Sequence, residues 1–418
     1  SGAGGIGVAG DTVDLTVIAL NDPPQLTAPA SLSTAEDTPF TVTGVSLADV
    51  DASQLEINLA VTHGVLTLAD LTDVSLTAGA LDRPSLTLTG PISALNASLT
   101  GLQYTPDENF NGSDSLSLLV SDLGNRGTDG VKTDSASVTL EVSAVNDAPV
   151  NLIPEAQTTA EDTALTLSGP LAIQVADVDD NDAPDNQSLQ VTLSVAYGTL
   201  SLPAGEFTLT SVSGDHSAAL ALAGEIAQLN LALDGLSYLP AENFNGSDSL
   251  AVTTSDDGYT GSGGSLTGSD TIAITVTAVN DAPLQQAPES ASTAEDTALV
   301  FSSANNRAIT LSDPDDNDNP LDDEVMELHL EVTNGSLTLA VTNGLTFTSG
   351  DGSADTSMTF TGVISDLNSA LDGLSFMPDS RFNGSALLTV QSSDQGYTGA
   401  GGGLSAQSLI TIQVDALN

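Results

Sequence analysis

Acidic residues recur at fixed positions along the chain. The motif Ala-Glu-Asp-Thr, an Asp-x-Asp pair, a Ser-Asp pair and an Asn-Asp pair return in the same order three times. The recurring acidic positions are Asp22, Glu36, Asp49, Asp51 and Asp122, then Asp147, Glu161, Asp177, Asp179 and Asp256, then Asp281, Glu295, Asp313, Asp315 and Asp394. Ca²⁺ takes six to eight oxygen ligands and tolerates irregular geometry. The pattern therefore predicts calcium sites built from loop carboxylates.

A simpler interpretation of each acidic position is structural. Asp and Asn terminate strands and nucleate turns without any ligand. That interpretation would suffice for a single Asp-x-Asp pair. Four acidic motifs that recur in three repeats, with almost no basic residues nearby to neutralise them, favour cation binding instead.

The overall charge limits the possible partners. The 418 residues include 56 Asp and Glu against 5 Lys and Arg, a formal net charge of −51. Such a surface repels phosphates and anionic lipid headgroups, so we expect no nucleic-acid and no membrane-surface binding. The chain has no Cys, which excludes disulfides, thiol nucleophiles and Cys-ligated zinc. No apolar run is long enough for a membrane helix and the start lacks the features of a signal peptide, so we expect a soluble fragment of a larger protein.

Two acidic loops extend the Asp-x-Asp pairs of the second and third repeats. They run over 177–185 and 313–324. Their alternating Asp and Asn residues are similar to the start of an EF-hand loop, but the turn Gly and the closing Glu are missing at the required offset. The first repeat has no such insertion, so any additional ion would belong to the second and third repeats only.

Catalysis is not expected. Position 63 is His in the first repeat but Tyr197 and Asn334 in the other two, which indicates a turn residue. His216 and His329 likewise lack counterparts in the other repeats, and no Ser, His and acid combination is suggested by order or spacing. We therefore predict that the chain is not an enzyme.

The repeats define the predicted domains. Asn21, Asn146, Asn280 and Asn418 each end an Ala-Leu or Ala-Val sequence, which divides the chain into repeats 21–146, 147–280 and 281–418. Residues 1–20 match only the end of a repeat, because GDTVDLTVIALN aligns with the segment that ends at Asn280. They are predicted to form the orphan last strand of a preceding repeat.

The secondary-structure pattern is that of an all-β protein. Apolar and polar residues alternate over 138–142, 272–276 and 410–414, as in strands with one buried face. Clusters of Gly, Asn, Asp and Pro separate such runs about every ten residues, a spacing typical of antiparallel β-sandwiches. One short amphipathic helix per repeat is predicted by apolar residues at i, i+3 and i+7: Ile92, Leu95 and Leu99, then Ile226, Leu229 and Leu233, then Ile364, Leu367 and Leu371.

The ordered motifs resemble a known family. The Asn-Asp-Ala-Pro linker, the Ala-Glu-Asp, the Asp-x-Asp and the Ser-Asp are similar to cadherin repeats. The Gly-x-Leu-x-Leu, Leu-x-Tyr-x-Pro and Phe-Asn-Gly-Ser-Asp motifs resemble the cadherin-like repeats of chondroitin sulfate proteoglycans and of large bacterial RTX-type adhesins. The resemblance implies three tandem Greek-key sandwiches, cadherin- or Ig-like, in an extended rod whose junctions bind Ca²⁺.

The resemblance also implies a ligand set for each junction. The sets are Asn21, Asp22, Asp49, Asp51 and Asp122 for the first, Glu36, Asn146, Asp147, Asp177, Asp179 and Asp256 for the second, and Glu161, Asn280, Asp281, Asp313, Asp315 and Asp394 for the third. The first set lacks most of a preceding repeat, so its affinity should be lowest. The family's Leu-Asp-Arg-Glu motif has only a partial counterpart in Leu81-Asp82-Arg83-Pro84. We therefore expect fewer ions per junction than in animal cadherins.

These features favour calcium-stiffened extender or adhesion repeats of a large secreted or cell-surface protein, an adhesin of bacterial origin. The expected partners are calcium ions and the neighbouring repeats. One alternative is a module that recognises a surface glycan or protein, for which Tyr259 and Tyr397 in Gly-Tyr-Thr-Gly loops are the available aromatic candidates. Another is an accessory region of a large secreted enzyme.

Overall fold

Alternating apolar residues generate strands throughout the chain, and each repeat buries one face of those strands in its own core. The computed structural model describes residues 10–124, 127–181, 188–258, 261–317, 325–396 and 399–417. Three sets of sheets follow one another, and each set includes a single short α-helix. The prediction of an all-β chain with three β-sandwich repeats is confirmed.

The first repeat runs from β1 to β11. Its elements are β1 (Gln25–Thr27), β2 (Ser31–Ala35), β3 (Phe40–Thr41), β4 (Ser46–Ala48), β5 (Gln54–Ala60), β6 (Gly64–Leu68), β7 (Ser75–Gly79), β8 (Ser85–Pro91), α1 (Ile92–Leu99), β9 (Leu102–Pro106), β10 (Gly112–Ser121) and β11 (Thr133–Ser143).

The second repeat has the same order of strands and one α-helix. Its elements are β12 (Val150–Leu152), β13 (Gln157–Ala160), β14 (Leu165–Leu167), β15 (Gln174–Ala176), β16 (Ser188–Ser194), β17 (Gly198–Ser201), β18 (Ser211–Ser213), β19 (Ala219–Glu225), α2 (Ile226–Leu233), β20 (Leu236–Pro240), β21 (Gly246–Ser255) and β22 (Thr267–Thr277). Two 3₁₀ turns lie at Gly169–Leu171 and Val178–Asn181.

The third repeat completes the series. Its elements are β23 (Leu284–Gln286), β24 (Ser290–Ala294), β25 (Leu299–Phe301), β26 (Thr310–Ser312), β27 (Val325–Val332), β28 (Gly335–Thr338), β29 (Thr346–Ser349), β30 (Ser357–Val363), α3 (Ile364–Leu371), β31 (Leu374–Pro378), β32 (Gly384–Ser393) and β33 (Ser405–Asp415). Its 3₁₀ turns are Ser303–Asn305 and Pro314–Asn317.

All three repeats have the same sheet topology. In the first repeat a six-stranded sheet has the order β2-β11-β10-β5-β8-β7, beside a three-stranded sheet β3-β9-β6 and a pair β1-β4. The second and third repeats reproduce these orders strand for strand. The last strand of every repeat pairs parallel with the second strand, and in the first and third repeats it pairs antiparallel with the strand before it. The parallel pair is a departure from the purely antiparallel pattern that the strand spacing suggests.

The three helices have the predicted position and a common anchor. Leu95, Leu99 and the equivalent leucines of α2 and α3 point into the cores. Asn96 of α1 donates from Nδ2 to the Leu47 carbonyl (2.9 Å) and accepts from the Leu47 amide (2.8 Å), as a neighbouring strand would. The equivalent residues Asn230 and Asn368 make the same paired bonds to the backbone of β15 and β26. Each helix therefore closes the sandwich beside the short two-stranded sheet.

The chain forms two compact units. The first comprises Ser1–Pro149, Ala176–Leu189 and Ser255–Thr267, and the second comprises Val150–Val175, Gln190–Thr254 and Gly268–Asn418. The first unit thus contains the first repeat together with two segments of the second repeat, one around the Asp-x-Asp pair and one after β21. The compact units therefore divide the chain differently from the sequence repeats.

The N-terminal segment is predicted to be the orphan last strand of a preceding repeat, and this stays a prediction. The described residues 10–20 form no strand, and Val13, Leu15 and Val17 are exposed. A strand is stable only when its backbone groups are paired with neighbours, and no other described strand of this chain pairs with this segment.

Candidate cation sites

The side chains of the linker asparagines are hydrogen-bonded to the aspartates of the Ser-Asp motifs. Asn146 follows β11 and donates from Nδ2 to Asp256 Oδ2 (2.8 Å) and to the Gly264 carbonyl (3.0 Å). Asn280 follows β22 and donates in the same way to Asp394 (2.9 Å). All four side chains are at most 5% exposed. The structure thus brings together residues that lie more than 100 positions apart in the sequence.

The Asp-x-Asp pairs join the same clusters. The Asp147 amide donates to Asp179 Oδ2 (2.7 Å), and the Asp179 amide donates to Asp177 Oδ1 (3.0 Å). The third set is equivalent: the Asp281 amide donates to Asp315 (2.7 Å), and the Asp315 amide donates to Asp313 (3.1 Å). Backbone N–H groups therefore fix one oxygen of each carboxylate, which orients the rest of the side chain.

A glutamate from the preceding repeat joins the second cluster, and its counterpart in the third set accepts a hydrogen bond from the equivalent backbone amide. The Val145 amide donates to Glu36 Oε1, and the Val279 amide donates to Glu161 Oε1. Glu36, Asp147 and Asp179 each offer a carboxylate oxygen, and these three oxygens lie within 4.8 Å of one another. Calcium-to-oxygen distances are about 2.3–2.6 Å, so one ion could reach all three oxygens. All three residues belong to the first compact unit.

Few positive charges are available to these carboxylates, because the chain has 5 Lys and Arg against 56 Asp and Glu. Asp177, Asp179, Asp256 and Glu36 are at most 8% exposed. In the described residues the salt bridges are Lys132–Asp129 and His216–Asp215, and neither includes a predicted ligand. Burying several like charges together costs free energy unless an opposite charge joins them.

Two aspartates of these clusters have a raised pKa. The pKa of Asp177 is raised to about 6, first by burial and then by the neighbouring carboxylates of Asp179 and Asp256, against the lowering effect of the hydrogen bond from the Asp179 amide. Asp313 has the same environment, and its pKa is also raised to about 6, first by burial. Both residues occupy the first position of an Asp-x-Asp pair.

Several buried oxygens at these clusters have no hydrogen-bond partner. They are Asp177 Oδ2, Asp313 Oδ2 and Asn280 Oδ1 in the second and third sets, and Asn21 Oδ1, Asp49 Oδ2 and Asp51 Oδ1 in the first. Buried acceptors without a donor are rare in folded proteins. A bound cation would satisfy them, so the residues present fit a divalent metal ion. Gln285 Oε1 is a similar atom outside the predicted sets.

The first set is more open than the other two. Asn21 and Asp122 are buried and hydrogen-bonded to each other, but Asp22 is exposed and Asp49 and Asp51 are only half-buried. The Asp22 amide donates to Asp51 (3.2 Å), which keeps the arrangement of the other sets. Within the described residues no preceding repeat supplies a glutamate here.

Two other buried aspartates are not part of these clusters. Asp114 and Asp248 are 4% and 7% exposed, and each accepts a hydrogen bond from a buried tyrosine hydroxyl, Tyr104 (3.0 Å) or Tyr238 (2.9 Å). Three backbone amides also donate to each carboxylate. Burial alone would raise the pKa of both groups, but these hydrogen bonds lower it. Sequence reasoning missed this pairing, although both residues are replaced together in the third repeat, by Phe376 and Ala386.

Several sequence candidates lie elsewhere. Asp180 and Asp316 follow the Asp-x-Asp pairs in 3₁₀ turns, while 182–187 and 318–324 of the two acidic loops lie outside the described residues. Tyr259 and Tyr397 also lie outside them. His63 stacks on Phe110 with ring centroids 4.3 Å apart, as a turn residue can.

No helix in the described part of the chain combines the length and the apolar character needed to cross a membrane.

Comparisons with known proteins give limited matches. A family model described as Protein GAMETE EXPRESSED 2 domain matches residues 182–263. No curated protein matches the chain significantly.

Solved structures similar to the chain include mouse Cadherin-23 EC22-24, with 16% identity, a TM-score of 0.34 and coverage of 95% of this chain and 100% of that chain. Protocadherin Gamma B2 extracellular cadherin domains 1-5 has 15% identity, a TM-score of 0.38 and coverage of 96% and 61%. Drosophila N-cadherin EC1-4 has 16% identity, a TM-score of 0.23 and coverage of 95% and 76%. At these identities and TM-scores, no property of those proteins is transferred to this chain.

Proposed function

We propose that this chain consists of calcium-stiffened extender repeats. Ca²⁺ binds at the clusters around Asn146–Asp147 and Asn280–Asp281, holds the linker against the loops of the repeat that follows, and neutralises their carboxylates. The rest of the proposal follows the sequence resemblance: an adhesion role in a secreted or cell-surface protein of the bacterial adhesin type, without enzymatic activity. A surface glycan or protein as additional partner belongs to the same proposal.

One observation carries the metal proposal. Asp177 and Asp313 are 8% and 6% exposed, and in each the Oδ2 atom is buried without a hydrogen-bond partner. Each lies among further carboxylates that raise its pKa. A buried carboxylate without a compensating positive charge destabilises the folded state, and such a group occurs at both equivalent positions. A bound cation would remove this cost.

The donor chemistry selects the ion. Each cluster offers carboxylate and amide oxygens only, since the chain has no Cys and none of its three His residues lies in a cluster. Zinc and other transition metals prefer nitrogen or sulfur ligands. Several carboxylates with irregular spacing suit Ca²⁺ better than Mg²⁺, which demands a small regular octahedron and retains its waters.

Calorimetric titration of the unaltered chain with CaCl₂ tests this function. We expect saturable binding, with a lower stoichiometry in Asp177→Asn and in Asp313→Asn, because each variant loses one charged ligand of one cluster. Asp107→Asn is the matched control, since Asp107 is exposed and lies outside all predicted sets. Unchanged stoichiometry and affinity in both cluster variants would contradict the proposed sites.

Small-angle scattering tests the stiffening. With calcium we expect a larger maximum dimension and a narrower distribution of distances than in excess chelator, since a bound ion restricts the linker. MgCl₂ at equal ionic strength controls for nonspecific screening. Identical scattering in calcium and in chelator would leave the chain a calcium binder but remove the extender mechanism.

A further inference from the structure

A Gly-x-x-Gly-x-x-Gly motif follows the penultimate strand of each repeat. Its glycines are Gly124, Gly127 and Gly130, then Gly258, Gly261 and Gly264, then Gly396, Gly399 and Gly402. All of them have a φ between +65° and +78°, in the left-handed region that favours glycine. The described residues 127–130, 261–264 and 399–402 are called the glycine loops below. A connection between two strands does not by itself require this recurring backbone conformation.

The glycine loops pair with the linkers through the backbone. The Asn146 amide donates to the Ser262 carbonyl (2.9 Å), and the Ser262 amide donates to the Ala144 carbonyl (3.1 Å). In the third repeat Ala400 makes the two equivalent bonds to the segment 278–280, at 3.0 and 3.1 Å. Each pair of bonds forms an isolated parallel bridge. Because these bonds join backbone groups only, they do not depend on a bound ion.

The middle glycine of each loop lies directly against the linker backbone. A Cβ on Gly261 would lie 2.6 Å from the Asn146 nitrogen, and a Cβ on Gly399 would lie 2.6 Å from the Asn280 nitrogen. Both distances are shorter than real Cβ contacts, so either the loop or the linker would have to move. Gly127 of the first repeat approaches its linker asparagine in the same way. The close backbone contact therefore occurs at all three linkers and requires Gly.

The same loops orient the side chain of the linker asparagine. Asn280 donates from Nδ2 to Asp394 Oδ2 (2.9 Å) and to the Gly402 carbonyl (3.2 Å). These bonds fix the rotation of the amide group, because both of its donors are on the nitrogen and its acceptor is the oxygen. Asn280 Oδ1 is buried and has no hydrogen-bond partner. Asn21 of the first set makes the equivalent bonds, and its Oδ1 also has no partner. The loop thus leaves one amide oxygen for a cation.

We propose that the glycine loops position the linker asparagines for cation binding before the cation arrives. The backbone bonds order the linker on folding, and the bond from Nδ2 to the loop determines which way Oδ1 points. Because the linker is already ordered, calcium binding does not include the entropic cost of ordering it, and the affinity is higher. Gly261 and Gly399 are positioning residues, since they act on the site through the asparagines. The effect on calcium affinity rests on the proposed function, whereas the order of the linker in the calcium-free protein does not.

Hydrogen exchange in excess chelator tests the order of the linker. In the unaltered chain we expect the Asn280 and Ala400 amides to exchange at least about tenfold more slowly than in an unstructured chain, because both donate to carbonyl groups. Gly399→Ala should remove that protection, while the Asn146 amide, which is bound by the other loop, keeps it. Protected amides in β32 report that the third repeat of the variant is folded. Unprotected Asn280 and Ala400 amides in the unaltered chain would overturn the proposal, whether or not the variant folds.

Gly169→Ala is the matched control for the backbone cost of the substitution. Gly169 is exposed, its φ is +57°, and a Cβ there would meet nothing within 4 Å. This variant therefore has the strain of a left-handed Ala without a contact to a linker. The Asn280 and Ala400 amides should stay protected in it. Equal loss of protection in Gly399→Ala and in Gly169→Ala would overturn the role of Gly399, because general destabilisation would then account for the loss.

Calorimetric titration with CaCl₂ tests the positioning role. For Gly399→Ala we expect one class of sites to lose about tenfold in affinity at unchanged stoichiometry, since ordering one backbone residue corresponds to roughly that factor. Gly169→Ala should bind calcium like the unaltered chain. Unchanged affinity in Gly399→Ala would overturn the positioning role. If the unaltered chain binds no calcium, the proposed function fails, and hydrogen exchange in chelator still decides whether the loops order the linker.

Discussion

Two aspartates of the second repeat are buried to the same degree but in opposite environments. Asp248 is 7% exposed and accepts hydrogen bonds from the Tyr238 hydroxyl and from three backbone amides, so its pKa is lowered despite burial. Asp177 is 8% exposed, one of its oxygens has no partner, and burial among like charges raises its pKa to about 6. Burial of a carboxylate is therefore not evidence for a metal. The balance of donors around it decides between a structural group and a ligand.

Among the tests of this comparison, calcium removal should give the largest change in the stability of the folded state. A ligand at 100 times its Kd stabilises the folded state by about 2.7 kcal/mol per site, so two occupied clusters should contribute about 5 kcal/mol. Calorimetric unfolding with excess chelator should show a lower Tm than with saturating CaCl₂. Sodium chloride at matched ionic strength is the control for screening, and equal Tm values in calcium and chelator would mean that the Asp177 environment is structural too.

Alanine substitutions should separate the two aspartates. Asp248→Ala leaves three backbone amides without their acceptor and leaves the Tyr238 hydroxyl only the Tyr197 carbonyl, so we expect a loss of about 2–3 kcal/mol that is the same with and without calcium. Asp177→Ala should be neutral or stabilising in chelator, because it removes an uncompensated charge, and destabilising in calcium. Denaturant unfolding of both variants in both buffers gives the four values. A similar loss for both variants in chelator would erase the proposed difference.

The pH dependence of stability should also differ between the calcium-free and the calcium-bound protein. The folded-state pKa of Asp177 and of Asp313 is about 6, above the ordinary value of 3.8, so their protonation favours the folded state. The resulting stability is fully present below the ordinary pKa and is lost as the pH rises through 6. In chelator, the free energy of unfolding should therefore increase by on the order of 1 kcal/mol for each group when the pH falls from 7 to 5, and Tm should rise with it.

Saturating calcium should reverse that trend, since protons compete with the ion for the same carboxylates. The double variant Asp177→Asn with Asp313→Asn is the control, because it has no raised pKa left at these positions and should flatten the chelator profile. A Tm in chelator that falls steadily from pH 7 to 5 would show that other groups dominate this range.

Much of this arrangement was predictable from the repeats. The helices were correctly located because Ile92, Leu95 and Leu99 have a helical spacing that recurs twice, and local spacing determines which face of a helix is apolar. The positions of the acidic clusters could be predicted because recurrence separates Asp177 and Asp256 from acidic residues on ordinary surface loops. In both cases three repeats served as three independent observations of one pattern.

Other features depend on contacts that the pattern does not encode. The segment 10–20 alternates like a strand, but its pairing depends on neighbours that local alternation does not identify, and among the described strands none pairs with it. The hydrogen bond between Tyr238 and Asp248 crosses between two strands, and neither residue alone signals the other. The parallel pairing of β2 with β11 likewise joins elements more than 90 positions apart.

The smallest expected change in stability concerns Tyr238, whose hydroxyl donates to Asp248. Tyr238→Phe removes one of the four donors to Asp248 and should cost about 1 kcal/mol. The third repeat has Phe376 and Ala386 at these positions, so the fold accepts the loss of both groups. Adding Asp248→Ala to Tyr238→Phe should therefore cost less than the sum of the single changes, because the hydrogen bond between the two side chains is already absent when the second change is made. A double-mutant cycle by denaturant unfolding in calcium measures the coupling. If the two changes in the free energy of unfolding are strictly additive, the tyrosine contributes nothing to the stability of the Asp248 carboxylate. The difference between Asp248 and Asp177 would then lie only in the number of backbone amides that donate to each.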